Sequence, residues 1–301
     1  MALHQYLLYD VFTDAPFSGN ALAVFPEASG IAVPDMQRIA RELNLSETTF
    51  VLPAERGDTD VRMRIFTPQV EMPMAGHPTI GSTFALAQTG AITPGTPRFV
   101  FGLNIGPVPV DLEWSVDALR FAWMTQANPD FGPVIERRES VAAALGVRAE
   151  DLASDLPVQE VSCGVPYLIV ALRDHEAVDR AVSDAAAFRR LRAEIGYELP
   201  VYMFALSPVG SPQTVYARMF APEFGIVEDP ATGSAAGPLG CYLVHHGVVN
   251  GLDARRIISL QGVAMGRASR IHIAIEGMRG AITQVKVGGE AVLVGRGEML
   301  V

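Results

Sequence analysis

Residues Arg64–Ser82 read RIFTPQVEMPMAGHPTIGS, and this stretch decides how the rest of the chain is interpreted. Its first residues alternate as in a strand, and the Pro-Met-Ala-Gly segment is typical of a turn. From Pro78 onward the pattern predicts a helix, because proline is well tolerated in a helix's first turn. A glycine beside a helix start, here Gly76, lets a ligand approach the free backbone N–H groups. His77 lies at that start, so the stretch predicts one titratable group beside an anion-binding position.

A similar pattern returns in Arg218–Ser234, which reads RMFAPEFGIVEDPATGS. The arginines that open the two stretches are 154 residues apart (218 − 64), and His77 and Asp229 are 152 residues apart (229 − 77). Short Gly/Pro turns also recur by chance, but two ordered matches at nearly one offset predict two related halves. Each half would carry a strand, a turn and a helix start. If the two helix starts face each other, His77 and Asp229 lie across one cleft.

Residues 126–129, QANP, are the best candidate for a linker between these halves. They divide the chain into an N-terminal half, 1–125, and a C-terminal half, 130–282. Each half is predicted to hold many short strands and only one or two long helices. We therefore expect an α+β fold in which each half curls a sheet around a central helix.

Composition limits the classes of partner. The chain has 301 residues, 49% of them hydrophobic, and a net charge of −10, which argues against binding to nucleic acid or to an anionic membrane. No apolar run approaches the roughly 20 residues that span a bilayer. The amino-terminal residues carry no basic region, so no signal peptide is expected. Two cysteines are too few for a disulfide framework, which predicts a cytoplasmic protein.

Three residues are candidates for acid/base chemistry. Glu47 is predicted at a junction between a helix and a strand, among uncharged neighbours that would raise the pKa of its carboxyl group. From spacing alone, however, a solvated loop residue or a helix cap is the favoured interpretation of Glu47. His77 titrates near neutrality, although a lone histidine is more often a capping or core residue. Asp229 begins the matching helix start, where an ordinary N-cap aspartate is the common alternative.

Substrate binding is predicted at the two helix starts. Ser234 follows Gly233 and can donate its hydroxyl and its backbone N–H to a carboxylate, although it is also consistent with an exposed turn serine. Gly76 and Gly233 leave the backbone N–H groups accessible. A small molecule bearing a carboxylate is the ligand that these groups suit.

Metal and cofactor chemistry has little support in the sequence. The six histidines show no metal-ligand spacing, and neither a Rossmann nor a P-loop motif occurs. The one lysine, Lys286, lies in a strand-like segment, which argues against a pyridoxal phosphate Schiff base. Cys163 and Cys241 do not lie at glycine-flanked helix starts, which argues against a two-thiol racemase. We expect a site without metal or cofactor, in which carboxylates and one imidazole move a proton.

Seven segments, in order and spacing, resemble the phenazine biosynthesis PhzF-like family over nearly the whole chain. They are DVFT (10–13), GNALAV (19–24), SET (46–48), RIFTP (64–68), GHPT (76–79), EDPATGSA (228–235) and QG (261–262). Ala21 stands where the family often has proline, and Met74 where it often has an aromatic residue.

The resemblance implies the diaminopimelate-epimerase-like fold, a homodimer, and a last strand within about 283–301 that rejoins the first half. It also implies an isomerase similar to trans-2,3-dihydro-3-hydroxyanthranilate isomerase, in which a glutamate moves a proton without metal or organic cofactor. That glutamate is matched by Glu47, and the supporting residues of the family are matched by His77, Asp229 and Ser234.

Three functional hypotheses follow from these observations. The first is an isomerase that shifts a proton in a carboxylate-bearing substrate, with Glu47 as acid and base. The second is an amino-acid epimerase or racemase acting at Cα, which would need two opposed bases. The third is a small-molecule-binding protein that keeps the cleft without turnover.

Overall fold

The computed structural model describes residues 2–301, which divide into two compact units. The first unit comprises the chain up to Thr125 together with Val287–Val301, and the second comprises Gln126–Lys286. In the part of the chain that is described, no helix is long and apolar enough to cross a membrane.

The first unit is a curled sheet with a helix against each face. Strand β1 pairs antiparallel with β2, β2 parallel with β3, and β3 antiparallel with β4. Strand β4 pairs antiparallel with β5 and parallel with β6, and β6 pairs antiparallel with β7, which pairs with β8. In chain order these elements are β1 (Leu3–Val11), β2 (Asn20–Phe25), α1 (Val33–Leu43), β3 (Glu47–Pro53), β4 (Val61–Phe66), β5 (Glu71–Met72), α2 (Gly76–Thr89), β6 (Arg98–Leu103), β7 (Gly106–Ser115) and β8 (Ala118–Gln126).

Helix α2 is the central helix of this unit. Its residues from Gly76 to Leu86 are all buried, as expected of a helix that is covered on every side. Glycine is needed where α2 crosses the sheet, because a Cβ at Gly81 would lie 2.5 Å from Leu22 Cδ2 and 2.7 Å from Val11 Cγ2. The sequence of α2 thus allows close contact between the helix and strands β1 and β2.

Helices α1 and α2 cover opposite faces of the sheet. In β3 the Thr49 hydroxyl is 2.9 Å from the Ser82 hydroxyl of α2, whereas Phe50 packs with Met36 and Ile39 of α1. Consecutive side chains of a strand point to opposite faces. The core of this unit therefore has two layers, one on each side of β3.

The second unit repeats the pairing order of the first. Strands β10 and β11 are antiparallel, β11 and β12 parallel, and β12 and β13 antiparallel. Strand β13 then pairs antiparallel with β14 and parallel with β15, which continues antiparallel to β16. The elements are β9 (Asp130–Val134), α3 (Arg138–Ala144), β10 (Gln159–Ser162), β11 (Pro166–Ala171), α4 (His175–Arg180), α5 (Ala185–Ile195), β12 (Val201–Leu206), β13 (Val215–Ala221), β14 (Ile226–Asp229), α6 (Gly233–His245), β15 (Ile257–Gln261), β16 (Ser269–Met278) and β17 (Ala281–Gly289).

Helix α6 is the central helix of the second unit and packs against β10, β11 and β16. On the other face of the sheet, residues of α3, α4 and α5 form a separate apolar core with Met203 of β12. Strand β17 leads the chain back to the first unit, where β18 (Ala291–Leu300) pairs antiparallel with β1. The predicted α+β fold, with a sheet curled around a central helix in each half, is confirmed.

The structure changes one detail of the predicted repeat. Helix α2 begins at Gly76, two residues earlier than predicted, and α6 begins at Gly233, which is 157 residues later (233 − 76). Asp229 is still part of β14. At the second position of each central helix, the counterpart of His77 is therefore Ser234 and not Asp229.

The residue pattern of the second half also predicts Ser183 as the N-cap of a helix over residues 184–195 and a helical run over residues 150–154, and both the N-cap and the helical run were wrong. Ser183 is not the N-cap of α5. The carboxylate of Asp184 caps this helix by accepting hydrogen bonds from the free backbone N–H groups of its first turn. Aspartate caps a helix as well as serine does, so the two neighbouring residues could not be separated by type. The predicted helical run Glu150–Ser154 is only a 3-10 turn, Ala149–Asp151. Helix α4 was not predicted.

Candidate active site

Glu47 and His77 are neighbours in the first unit. Glu47 is the first residue of β3, and His77 is the second residue of α2. Glu47 Oε2 lies 3.4 Å from His77 Nε2, and the two side chains are 13% and 4% exposed. Two residues further along β3, the hydrogen bond between Thr49 and Ser82 holds the strand against the helix. The structure therefore places Glu47 inside a strand and largely out of solvent, which excludes the interpretation as a solvated loop residue.

The environment of His77 keeps its ring uncharged. His77 Nδ1 lies 3.2 Å from the amide Nδ2 of Asn20, a buried residue at the start of β2. Burial lowers the pKa of His77 to about 3, and a hydrogen bond with the main chain of Ala21 opposes this only in part. An imidazole with this pKa is neutral at pH 7. Beside Glu47, the His77 ring can therefore donate one hydrogen bond and accept another without carrying a positive charge.

The low pKa of His77 predicts a dependence of stability on pH. The ring takes up a proton near pH 6.5 in the unfolded chain and near pH 3 in the folded chain. Between these values the unfolded state binds more protons, so stability is lost as the pH falls through this window. We expect His77 alone to lower the free energy of unfolding by about 2 kcal/mol between pH 7.5 and pH 5.

Urea denaturation of the wild type and of His77→Gln at both pH values measures this contribution. The variant cannot titrate at this position, so its loss of stability on acidification should be smaller by about 2 kcal/mol. Other groups that titrate in this window, such as His246, whose pKa is also lowered, remain in both proteins and cancel. An equal loss in the two proteins would show that His77 titrates normally in the folded state.

Asp229 lies at the end of β14 in the second unit and is 6% exposed. Its Oδ2 accepts a hydrogen bond of 2.6 Å from the hydroxyl of Thr232. The N-cap position of α6 is occupied by Thr232, and no side chain there caps the helix. The alternative interpretation of Asp229 as an ordinary N-cap is therefore excluded.

A buried glutamine holds the turn that carries Asp229. Gln261, fully buried at the end of β15, donates from Nε2 to the carbonyl oxygen of Asp229 at 2.8 Å. Gln261 Oε1 accepts from the backbone N–H of Thr232 at 3.0 Å and from the hydroxyl of Tyr202 at 3.1 Å. With both ends of the amide engaged, Gln261 fixes the backbone on both sides of Pro230.

Ser234 and the two glycines occupy the starts of the central helices. Gly76 and Gly233 are the first residues of α2 and α6, so the free N–H groups of each helix begin there. Ser234 is partly exposed, and its Oγ lies 2.6 Å from the hydroxyl oxygen of Tyr167 in β11. The positive end of the helix dipole and a serine hydroxyl thus lie together at the start of α6.

The residues that support these groups were not predicted from the sequence. Asn20 and Gln261 lie within segments that carried the family resemblance, and their amide side chains were the available signal. Tyr167 lies in a plain apolar strand, and nothing in its local sequence separates it from a core tyrosine. Thr232 was recognised only as part of the turn before the second predicted helix start.

The surroundings of the two cysteines disfavour thiol chemistry. Cys163 and Cys241 are buried in the second unit with their Sγ atoms 3.8 Å apart. The hydrogen bond with Cys163 and burial raise the pKa of the Cys241 thiol, which disfavours the reactive thiolate. Among residues 2–301, no three His, Cys, Asp or Glu side chains come together in a way that could hold a metal ion.

Comparison with known proteins identifies the family of this fold. Residues 9–297 match the family model described as phenazine biosynthesis-like protein. Trans-2,3-dihydro-3-hydroxyanthranilate isomerase of Pseudomonas chlororaphis is 36% identical over 298 residues, covering 99% of this chain and all of the relative. The uncharacterized isomerase mll1393 of Mesorhizobium japonicum is 36% identical over 306 residues, with both chains fully covered. The crystal structure of a PhzF-family phenazine biosynthesis protein of Bacillus anthracis superposes with a TM-score of 0.89 at 27% identity, also over both whole chains.

The fold and these relatives define an isomerase, as the sequence predicted. Within that class, the chain belongs to the phenazine biosynthesis-like, or PhzF, family.

Proposed function

We propose that this isomerase moves a proton between two carbon atoms of a small carboxylate-bearing substrate, with Glu47 as the acid and base. The observation that carries the proposal is the close approach of Glu47 Oε2 to His77 Nε2 at 3.4 Å, in a position where burial keeps the histidine uncharged. A neutral imidazole is a poor source of protons at pH 7. The carboxyl group is then the member of the pair that takes up and returns the proton.

The proposed reaction is balanced without an external reagent. The Glu47 carboxylate takes a proton from a carbon next to an unsaturated group, and the electron pair of the broken C–H bond shifts into the conjugated system. The proton on the Glu47 carboxylic acid can exchange with solvent, and the acid then delivers a proton to another carbon, so that the double bond has moved. His77, whose Nε2 lies 3.4 Å from Glu47 Oε2, would restrict the movement of the glutamate side chain in both steps.

We propose that the second unit supplies groups that bind the substrate. The start of α6 offers the N–H groups of Gly233 and Ser234 and the hydroxyl of Ser234, a set of donors that suits a carboxylate. Asp229, held by Thr232, is an acceptor for an amino or hydroxyl group of the substrate. The 36% identical relative from Pseudomonas chlororaphis is named for a substrate with these three groups, trans-2,3-dihydro-3-hydroxyanthranilate, which is the first compound to test.

Incubation of the enzyme with that compound in deuterium oxide, followed by NMR, tests the proposal. We expect one deuterium to enter the product at a carbon that carried none before, together with a displaced double bond. The rate should not change when a chelator is added, because no step uses a metal ion. Inversion at an amino-acid Cα with unmoved double bonds would identify an epimerase instead. An absence of exchange with this compound and with a panel of cyclic and amino-acid carboxylates would favour a binding protein.

We further propose that the enzyme acts in the cytoplasm as a homodimer, without nucleic acid or membrane partners. Two buried thiols that are not joined in a disulfide agree with a reducing compartment. Sedimentation equilibrium would test the assembly, since a monomer of 32.3 kDa and its dimer are easily separated.

A further inference from the structure

Ser234 is held by a second side chain in the same way as His77. Each residue is the second of its central helix. His77 is contacted by Asn20 at the start of β2, and Ser234 by Tyr167, the second residue of β11. Strand β11 takes the place of β2 in the repeated pairing order, since each is antiparallel to the strand before it and parallel to the strand after it. The two units therefore support the same helix position from the same strand.

We propose that Tyr167 is a positioning residue that fixes Ser234 as a hydrogen-bond donor and so makes the start of α6 selective for a carboxylate. The inference rests on the proposed function, because it adds a supporting residue to the carboxylate-binding groups proposed there. Tyr167 is 5% exposed and lies in a strand, whereas Ser234 is partly exposed at the end of a helix. The rigid partner is thus the tyrosine.

The direction of this hydrogen bond follows from acidity. The contact of 2.6 Å allows either hydroxyl to donate. Because a phenol is a stronger donor than an aliphatic hydroxyl, we assign the Tyr167 O–H as the donor and Ser234 Oγ as the acceptor. Serine has one O–H donor. With one lone pair of its oxygen engaged by Tyr167, Ser234 keeps that donor for a ligand. One lone pair of Ser234 Oγ remains, but the hydroxyl and the backbone N–H groups at the start of α6 are all donors, a set that fits two carboxylate oxygens better than it fits an NH₂ group.

Calorimetry with two aromatic probes tests this selectivity. The probes are 3-hydroxyanthranilate and its carboxamide, which differ only in the group offered to the start of α6. In Tyr167→Phe the Ser234 hydroxyl is free to rotate, so binding of the acid should weaken about 3- to 10-fold, the range for loss of one hydrogen bond. Binding of the carboxamide should change less than about 2-fold, because the serine released from Tyr167 has both of its lone pairs available to accept from NH₂.

A double-mutant cycle shows whether Tyr167 acts through Ser234. We expect Ser234→Ala to weaken acid binding, and Tyr167→Phe to add less than about 2-fold in the Ser234→Ala background. In turnover, Tyr167→Phe should raise KM for the carboxylate substrate with little change in kcat. Tyr242→Phe is the matched control, since it removes a tyrosine hydroxyl that donates at 2.6 Å to the carbonyl of Pro157 in the same unit. It should leave both probes unaffected.

Several results would overturn the inference. Equal weakening of acid and carboxamide in Tyr167→Phe would indicate a general structural role, and independent effects in the cycle would show that Tyr167 does not act through Ser234. Failure of the wild type to bind 3-hydroxyanthranilate more tightly than the carboxamide would exclude a carboxylate subsite here. A different result would contradict the proposed reaction alone. In that case the acid still binds more tightly than the carboxamide, but no carboxylate exchanges hydrogen in deuterium oxide.

Discussion

Replacement of Glu47 by glutamine is expected to lower kcat for the proton shift by about 10³-fold, within the range that a single general acid/base supplies. The amide has nearly the size of the carboxyl group and can keep the contact with His77 Nε2, but it does not accept a proton at neutral pH. Solvent deuterium incorporation into the substrate, followed by NMR, measures the loss. The circular dichroism spectrum and the urea midpoint should be close to those of the wild type, because the substitution only replaces one carboxyl oxygen by an amide nitrogen.

The matched control is the same substitution at Glu42, which is exposed on α1. Glu42→Gln changes the net charge by the same amount and should keep full activity. If Glu47→Gln exchanged deuterium as fast as this control, Glu47 would not be the base, and the proposed reaction would need another group. A KM that changes much less than kcat would show that the carboxyl group acts mainly in the chemical step.

Replacement of Arg218 by methionine is expected to have the largest effect on stability, lowering the free energy of unfolding by about 3–5 kcal/mol. The Arg218 side chain is only 9% exposed, and its guanidinium binds the Glu228 carboxylate through two hydrogen bonds of 2.8 Å. It also donates to the carbonyls of Val178, Asp179 and Ala181 at the end of α4. Removal of the arginine would leave a largely buried carboxylate and helix-end carbonyls without their partner, which is the costly way to break an ion pair.

The internal repeat supplies the control for this prediction. Arg64 occupies the corresponding position in β4 and binds Glu71 in the same two-bond manner, but this pair is more open, with side chains 20% and 23% exposed. Arg64→Met should therefore cost only about 1 kcal/mol, close to the value for solvated pairs. Urea denaturation of both variants makes the comparison. In the Arg218→Met, Glu228→Met double variant, removal of the second charge should restore part of the loss. Equal costs at the two arginines would show that burial does not set the strength of the pair.

The features that local sequence specifies were predicted well. The helix after Gly76 and the strand before it follow from periodicity and from a proline in the first turn, and these signals depend only on neighbouring residues. The same is true of the two related halves, because the arginine-led strands β4 and β13 keep the same spacing of 154 residues (215 − 61). An α+β fold with one buried helix in each half was therefore accessible from the sequence.

The position of Glu47 was not accessible from spacing. Its burial depends on β3 lying parallel to β2 and against α2, contacts that join segments about 25 to 35 residues apart. The residues alone made Glu47 a candidate but favoured a solvated loop residue or a cap, and only the family resemblance reversed that preference. The assignment of His77 and Asp229 as counterparts failed for a related reason: β14 has four residues where its equivalent, β5, has two, and a one-dimensional match cannot show where a strand ends and a helix begins. The roles of Asn20, Tyr167 and Gln261 likewise depend on contacts between strands and helix starts.

The pairing of β18 with β1 has a consequence for the order of events during synthesis. These strands align Leu3 with Leu300, so the sheet of the first unit gains this strand only after nearly 300 residues have been made. The second unit, Gln126–Lys286, is one uninterrupted segment, and can form its core while the ribosome is still translating β18. In the nascent chain, the β1 edge of the N-terminal sheet therefore stays unpaired until β18 has been made. An unpaired strand edge can pair with other chains, which favours aggregation.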